Sequence, residues 1–152
     1  MLMYYPEFKK ASKKHLIACE CLIASLDTNC KQNEINILTT LYYLTGYIFE
    51  TILKFSIYSA IEYDRKIDIS KISSHGLKYT KNSMQTHHLI YLKELMESKS
   101  INRLTDYDNN KNLFSKWDSE IRYKEKVTFT KEEILSFFEF AKQTYITLQQ
   151  YK

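Results

Sequence analysis

Glycine and proline are scarce in this chain, whose 152 residues include two glycines and one proline. Hairpin turns in β-sheets rely on backbone with positive φ, which glycine adopts at little cost. The low glycine content therefore argues against an all-β fold, whereas long helices need few such residues. We predict an all-α protein, a single domain over residues 1–152 built as an antiparallel bundle of four to five helices.

Cysteine is also sparse, and Cys19, Cys21 and Cys30 lack the spacing of a disulfide framework. Cys19 and Cys21 lie two residues apart in a helical pattern, so they point to different faces and are poorly placed to coordinate one metal ion. We predict free thiols in a reducing compartment and no metal site or cofactor. Residues 1–15 show no basic segment followed by an apolar run, so we expect no secretory signal and a cytoplasmic location.

No long apolar run is free of charge. The most apolar segment, residues 38–61, carries Glu50 and Lys54 near its centre, where charges would be costly in lipid. The two lie four residues apart with the glutamate first, the favoured order for an ion pair on a helix. We therefore predict the central helix of a soluble bundle and no membrane partner. The net charge of +4 is modest and leaves open whether a nucleic acid is bound.

Hydrophobic periodicity predicts four principal helices. The first covers Pro6–Leu26, and the central one covers Glu34–Glu62. The apolar face of the first helix consists of Phe8, Ala11, His15, Ala18, Cys19, Leu22 and Leu26. His15 on this face is interpreted as a histidine at the edge of the core or on the surface.

The third predicted helix covers Gln85–Ser98, with Leu89, Leu92, Leu95 and Met96 facing inward. The last follows a capping box from Thr130 to Glu133 and carries an apolar stripe to the C terminus. That stripe consists of Ile134, Phe137, Phe138, Ala141, Tyr145 and Leu148. Residues 63–84 and 98–112 are predicted to be polar connections, and residues 112–126 a short helix or an irregular crossover.

Familiar catalytic motifs are missing. Gly46 and Gly76 are isolated and form no phosphate loop, and adjacent His87 and His88 would project in different directions from a helix. What remains is a set of polar groups in apolar helical surroundings: Glu50, Lys54, His87, Trp117, Glu120, Arg122 and Tyr123. Because a buried carboxylate needs a cation, we expect Glu50 to meet Arg122 or His87 in the bundle centre. Such a cluster is either an ion pair that fixes helix register or a polar pocket for a phosphate or nucleotide.

Three segments, in the same order, resemble those of HEPN-like proteins (higher eukaryotes and prokaryotes nucleotide-binding domain). Residues 42–54, YYLTGYIFETILK, are similar to the YYLAGYxxExxLK helix of that family. Residues 87–92, HHLIYL, resemble its H-x-L-x-x-L segment. Residues 117–123, WDSEIRY, resemble its W-x-x-x-x-R-Y segment, which precedes a final helix as here.

The resemblance implies a bundle of four or five helices, often a homodimer, with a polar groove near the dimer axis. Many relatives are ribonucleases or partners of minimal nucleotidyltransferases in toxin–antitoxin and phage-defence systems. The mark of the ribonuclease members is an arginine followed four to six residues later by a histidine. This chain departs from that pattern, since His75 follows Arg65 too late and neither Arg103 nor Arg122 has a histidine after it.

We therefore predict a non-catalytic HEPN-like module that binds a nucleotide, RNA or a partner protein, with the seven polar and aromatic residues named above lining or supporting the site. One alternative is a metal-independent ribonuclease, in which His87 removes a 2′-hydroxyl proton and Arg122 stabilises phosphate charge. Another is a purely structural or interaction protein, in which the cluster only holds helix register.

Overall fold

The computed structural model describes residues 2–28, 31–75 and 84–150 of the chain. Over these ranges the backbone forms five α-helices and no strand, so the predicted all-α bundle is confirmed. The helices are α1 (Pro6–Ser25), α2 (Lys31–Ala60), α3 (Leu89–Lys99), α4 (Tyr107–Lys116) and α5 (Lys131–Leu148). Short 3₁₀ segments lie at Leu26–Thr28, Ile69–His75 and Ser119–Tyr123.

Helix α2 is the central element and packs against α1, α3, α5 and the Ser119–Tyr123 segment. Because neighbours surround it, every residue from Ile48 to Tyr58 is buried, and the helix has no polar face along this stretch. Glu50 and Lys54 lie inside this run, which places two charges in the core of the bundle. No helix in the described ranges combines the length and apolarity needed to cross a membrane.

Helix α1 buries Phe8, Ser12, Leu16 and Cys19. The predicted apolar face is confirmed at Phe8, Cys19 and Leu26, which are buried, but in its middle Ser12 is buried whereas Ala11 is half-buried. The serine fits there because its hydroxyl donates a hydrogen bond of 3.0 Å to the carbonyl of Ile48. His15 is half-buried at the edge of the core.

Helix α5 begins at the predicted capping box. The hydroxyl of Thr130 accepts from the N–H of Glu133 at 3.1 Å, and the Glu133 carboxylate accepts from the N–H of Thr130 at 3.0 Å. All six residues of its predicted apolar stripe are buried. The N-terminal start and the inward face of this helix are therefore confirmed.

The two largest errors in the predicted boundaries lie at the starts of α3 and α4. Helix α3 begins at Leu89 rather than Gln85, so His87 precedes the helix and His88 caps it with extended backbone. The predicted connection 98–112 contains the first half of α4. The first turn of this helix is polar in sequence, yet its Asn110 is buried. Tertiary packing of α4 on α5 outweighs the weak local signal here.

Of the other predicted features, the connection 63–84 includes the Ile69–His75 segment, while residues 76–83 lie outside the described residues, as does Cys30. Cys19 is a buried free thiol and Cys21 an exposed one.

Candidate functional site

A buried carboxylate forms the centre of the candidate site. Glu50 is 5% exposed, and one of its oxygens makes a short hydrogen bond with Nδ1 of His87. Its other oxygen lies 3.5 Å from Nζ of Lys54, which is also 5% exposed. The predicted contact of Glu50 with His87 and its pairing with Lys54 are both present, and we call these three residues the inner cluster.

His87 reaches Glu50 because the segment before α3 is anchored on both sides. Met84 and Leu89 are both buried, and His87 between them contacts Glu50 of α2. The side chain of His87 is 51% exposed while that of Glu50 is 6% exposed, so the imidazole covers the carboxylate and faces solvent. Its Nε2 has no hydrogen-bond partner among the described residues.

Burial lowers the pKa of Lys54, and the adjacent Glu50 carboxylate opposes that shift. The ammonium also lies 5.7 Å from the centroid of the Phe8 ring, within the range of a cation–π contact. The lysine is therefore held in an apolar environment by one ion pair and one ring.

A cavity of about 460 Å³ opens beside the inner cluster, and Lys54 and His87 both line it. Phe8 and Tyr58 contribute apolar walls, and Gln85 adds a polar group. Its volume falls in the range of small-molecule sites, about 300–1,000 Å³. The cavity thus offers apolar walls and two nitrogen donors to one ligand.

Tyr47 joins the inner cluster to its neighbours and was not singled out by sequence reasoning. Its ring centroid lies 5.7 Å from that of His15 and 6.4 Å from that of His87, so two histidines flank one tyrosine. Burial, with smaller contributions from Tyr43 and Glu50, raises the pKa of the Tyr47 hydroxyl. The available signal was helical spacing, since Tyr47 lies three residues before Glu50 on the same face of α2.

His15, interpreted from the sequence as a histidine at the edge of the core or on the surface, is half-buried near the inner cluster. Burial lowers the pKa of its imidazole, Lys14 lowers it further, and Glu50 opposes both effects. Glu50 therefore interacts electrostatically with both His15 and Lys54 as well as contacting His87. We regard His15 as part of the surroundings of the inner cluster.

Trp117 is a buried wall rather than a polar member of the site. It is 3% exposed, and its indole N–H donates a hydrogen bond of 3.1 Å to the carbonyl of Tyr43. Its ring lies 5.1 Å from the ring of Tyr47 in an edge-to-face arrangement. The tryptophan therefore fixes the position of the tyrosines beside the inner cluster.

Glu120, Arg122 and Tyr123 lie on the exposed Ser119–Tyr123 segment, outside the inner cluster. Within the described residues, no ion pair or hydrogen bond joins Arg122 to Glu50, so the expected alternative contact between them is absent. Arg122 instead lies 4.7 Å from the Tyr123 ring, and the hydroxyls of Tyr43 and Tyr123 raise its pKa. Exposure explains the difference, because the 3₁₀ segment buries Ile121 and turns its neighbours to solvent.

The arrangement suits anion binding and proton transfer. A carboxylate on Nδ1 orients an imidazole so that Nε2 can accept or donate a proton, or bind a phosphate oxygen. Within the described ranges no group of three or more histidine, cysteine or acidic side chains is placed to hold a metal ion. Comparison of the chain with protein-family models, with curated proteins and with solved structures gave no match.

Proposed function

We propose that this chain is a HEPN-like helical module that binds a phosphate-bearing ligand, a nucleotide or RNA, at the inner cluster. The observation that carries the proposal is the position of His87. Its Nδ1 is held by the buried Glu50, while the half-exposed imidazole and Lys54 line the same cavity. A phosphate placed there would gain charge-assisted hydrogen bonds from the lysine and from a protonated imidazole.

The family named in the proposal rests on the resemblance of the three segments. Residues quoted from these three segments meet around one ring, since Tyr47 contacts both His87 and Trp117. The proposal extends to a cytoplasmic homodimer, with a nucleotidyltransferase-type partner in a toxin–antitoxin or phage-defence setting. That extension rests on the resemblance and on the free thiols of Cys19 and Cys21.

A second candidate function, metal-independent cleavage of RNA, is favoured by the same carboxylate–imidazole pair. His87 Nε2 would remove the 2′-hydroxyl proton, the 2′ oxygen would attack the adjacent phosphorus, and the 5′ oxygen would leave with a proton from water. Lys54 is closer to this chemistry than Arg122, because it shares the Glu50 carboxylate with His87. In this candidate function, Lys54 therefore takes the place of Arg122 as the cation that stabilises the negative charge on the phosphate.

The test compares two adjacent histidines. Titration calorimetry with a dinucleotide that lacks the attacking 2′-hydroxyl measures binding to the wild type, to His87→Ala and to His88→Ala. His88 is a matched control because it is exposed and its side chain makes no capping hydrogen bond to α3. We expect His87→Ala to lose at least about tenfold in affinity, the value of one charge-assisted hydrogen bond, and His88→Ala to bind as the wild type does.

Equal affinities for the wild type and His87→Ala would contradict binding at the inner cluster. The cleavage candidate is tested with labelled RNA and the same three proteins, with and without EDTA. The ribonuclease function requires that the wild type and His88→Ala cleave the RNA with or without EDTA and that His87→Ala does not. That result would establish cleavage over binding alone. If neither binding nor cleavage depends on His87, the cluster serves only helix register.

A further inference from the structure

A second cavity, of about 870 Å³, lies at the other side of the contact between α1 and α2. Among the described residues, its charged lining side chains are all cations, namely Lys9, Lys10 and Lys13 of α1 and Arg65. We call this cavity, with its four cations, the basic groove. Concentrated charge of one sign raises the local concentration of ligands of the opposite sign.

The four cations lack an ion-pair partner in the part of the chain that the structure describes, since no carboxylate there lies within ion-pair distance of any of them. Three of them instead make cation–π contacts with aromatic rings, which leave the positive charge in place. Lys9 lies 5.6 Å from the centroid of Phe55, Lys13 lies 5.8 Å from that of Tyr145, and Arg65 lies 5.9 Å from that of Tyr5.

The rings of Phe55 and Tyr145 form a floor and not a stacking platform. They are 2% and 4% exposed, so a nucleic-acid base has no open aromatic face on which to stack. The chemistry available to a ligand is therefore a row of cations above a closed apolar floor. Such a surface recognises phosphates and carries no information about base sequence.

The basic groove adjoins the inner cluster through consecutive residues of both helices. Phe8 and Lys54 line the cavity of the inner cluster, and the next residues, Lys9 and Phe55, line the basic groove. The two cavities are therefore adjacent along both helices. A ligand of several nucleotides can contact both, whereas a mononucleotide can occupy only one.

We infer that the basic groove binds the phosphate backbone of a single-stranded RNA whose neighbouring nucleotide occupies the inner cluster. The inference rests on the proposed function and narrows its ligand from any nucleotide to an RNA strand without sequence preference. An acidic peptide would satisfy the same charges, but the closed floor has no pocket for its apolar side chains. The continuity with the inner cluster favours RNA.

The experiment measures fluorescence anisotropy of a labelled oligouridylate of about 12 nucleotides, a length in the range that one single-strand site covers. The groove variant carries Lys9→Gln, Lys10→Gln and Lys13→Gln. The matched control carries Lys31→Gln, Lys111→Gln and Lys126→Gln, which lie outside both cavities. Both variants lower the net charge from +4 to +1, so only the position of the removed charges differs.

At about 0.15 M salt we expect the groove variant to bind the oligouridylate at least about tenfold more weakly than the wild type. Its plot of log K against log salt should be shallower by about 2, since each contact with a single strand contributes about 0.7. The control should retain the wild-type slope, and all three proteins should bind the dinucleotide equally. Their thermal unfolding temperatures should agree.

Equal loss in the control variant would overturn the inference, as would displacement of the RNA by polyglutamate at equal charge concentration. A lowered unfolding temperature with unchanged RNA binding would also overturn it, because the lysines would then only neutralise the C-terminal end of α5. Failure of the proposed function has a different signature. In that case His87→Ala leaves dinucleotide binding unchanged, whatever the groove variant does to the longer strand.

Discussion

The indole ring of Trp117 lies directly against the backbone of Gly46, and a Cβ atom built on that glycine would overlap the ring. Glycine weakens the interior of a helix, so its presence in the middle of α2 needs a reason. The reason is this close approach, which lets the tryptophan reach the carbonyl of Tyr43 with its N–H. The glycine and tryptophan of two separate segments thus form one structural unit behind the inner cluster.

Replacement of Gly46 by alanine should therefore destabilise the protein. At an ordinary interior helix position the same change is stabilising by about 1 kcal/mol. Overlap with Trp117 reverses the sign, and we expect a loss of about 1–3 kcal/mol in the free energy of unfolding, the usual cost of overpacking. Urea denaturation measures it. A Gly46→Ala protein more stable than the wild type would show that Trp117 does not pack against this backbone.

The charged pair in the core gives a second prediction. Glu50→Gln removes the counterion of Lys54 at a position where both are 5% exposed. Stranding a buried charge costs about 3–5 kcal/mol, whereas replacement of both partners by uncharged groups is often neutral. We expect Glu50→Gln to lower the free energy of unfolding by about 3 kcal/mol and Glu50→Gln/Lys54→Met to recover most of it.

The control for that series is Glu94→Gln, which removes the same charge from an exposed position of α3. We expect it to change the free energy of unfolding by less than about 0.5 kcal/mol. If Glu50→Gln costs no more than this control, the carboxylate is not required to hold Lys54. The two substitutions are compared by the same urea titration.

The helices that sequence predicts well are those with local signals. Helix α5 starts where it should because Thr130 and Glu133 satisfy each other's backbone N–H groups within one turn. Helix α4 has no such signal, and its buried Asn110 is stable because the amide oxygen accepts a hydrogen bond of 3.2 Å from Ser136 of α5. That partner comes from a distant segment, so periodicity alone does not reveal it.

The candidate site divides in the same way. The pairing of Glu50 with Lys54 follows from their spacing along one helix. The contact of Glu50 with His87 depends on the path of the chain before α3, and sequence offered His87 and Arg122 as equal partners. Packing decides between them, since His87 covers the carboxylate while the Ser119–Tyr123 segment turns Arg122 to solvent.

Buried tyrosines make the stability of this fold depend on pH in the alkaline range. Burial raises the pKa of Tyr42, Tyr47 and Tyr58, so their hydroxyls stay protonated in the folded state beyond the pH at which free tyrosine ionises. The unfolded chain loses these protons near pH 10, before the folded protein does. The tyrosine contribution to stability is thus present in full below about pH 10 and falls as pH rises above it. Burial of Lys54 acts in the opposite direction, but it is one group against several.

We therefore expect the free energy of unfolding to decrease between about pH 10 and pH 11, by up to about 1.4 kcal/mol per pH unit for each buried tyrosine. Tyr58→Phe removes one of these hydroxyls while keeping the ring that stacks on Tyr5 at 5.7 Å. It should make the alkaline decline shallower. Tyr91→Phe, at a position 40% exposed, should leave the decline unchanged. Urea titrations across this pH range measure both slopes, and equal slopes in the two variants would mean that the Tyr58 hydroxyl ionises equally in the folded and unfolded states.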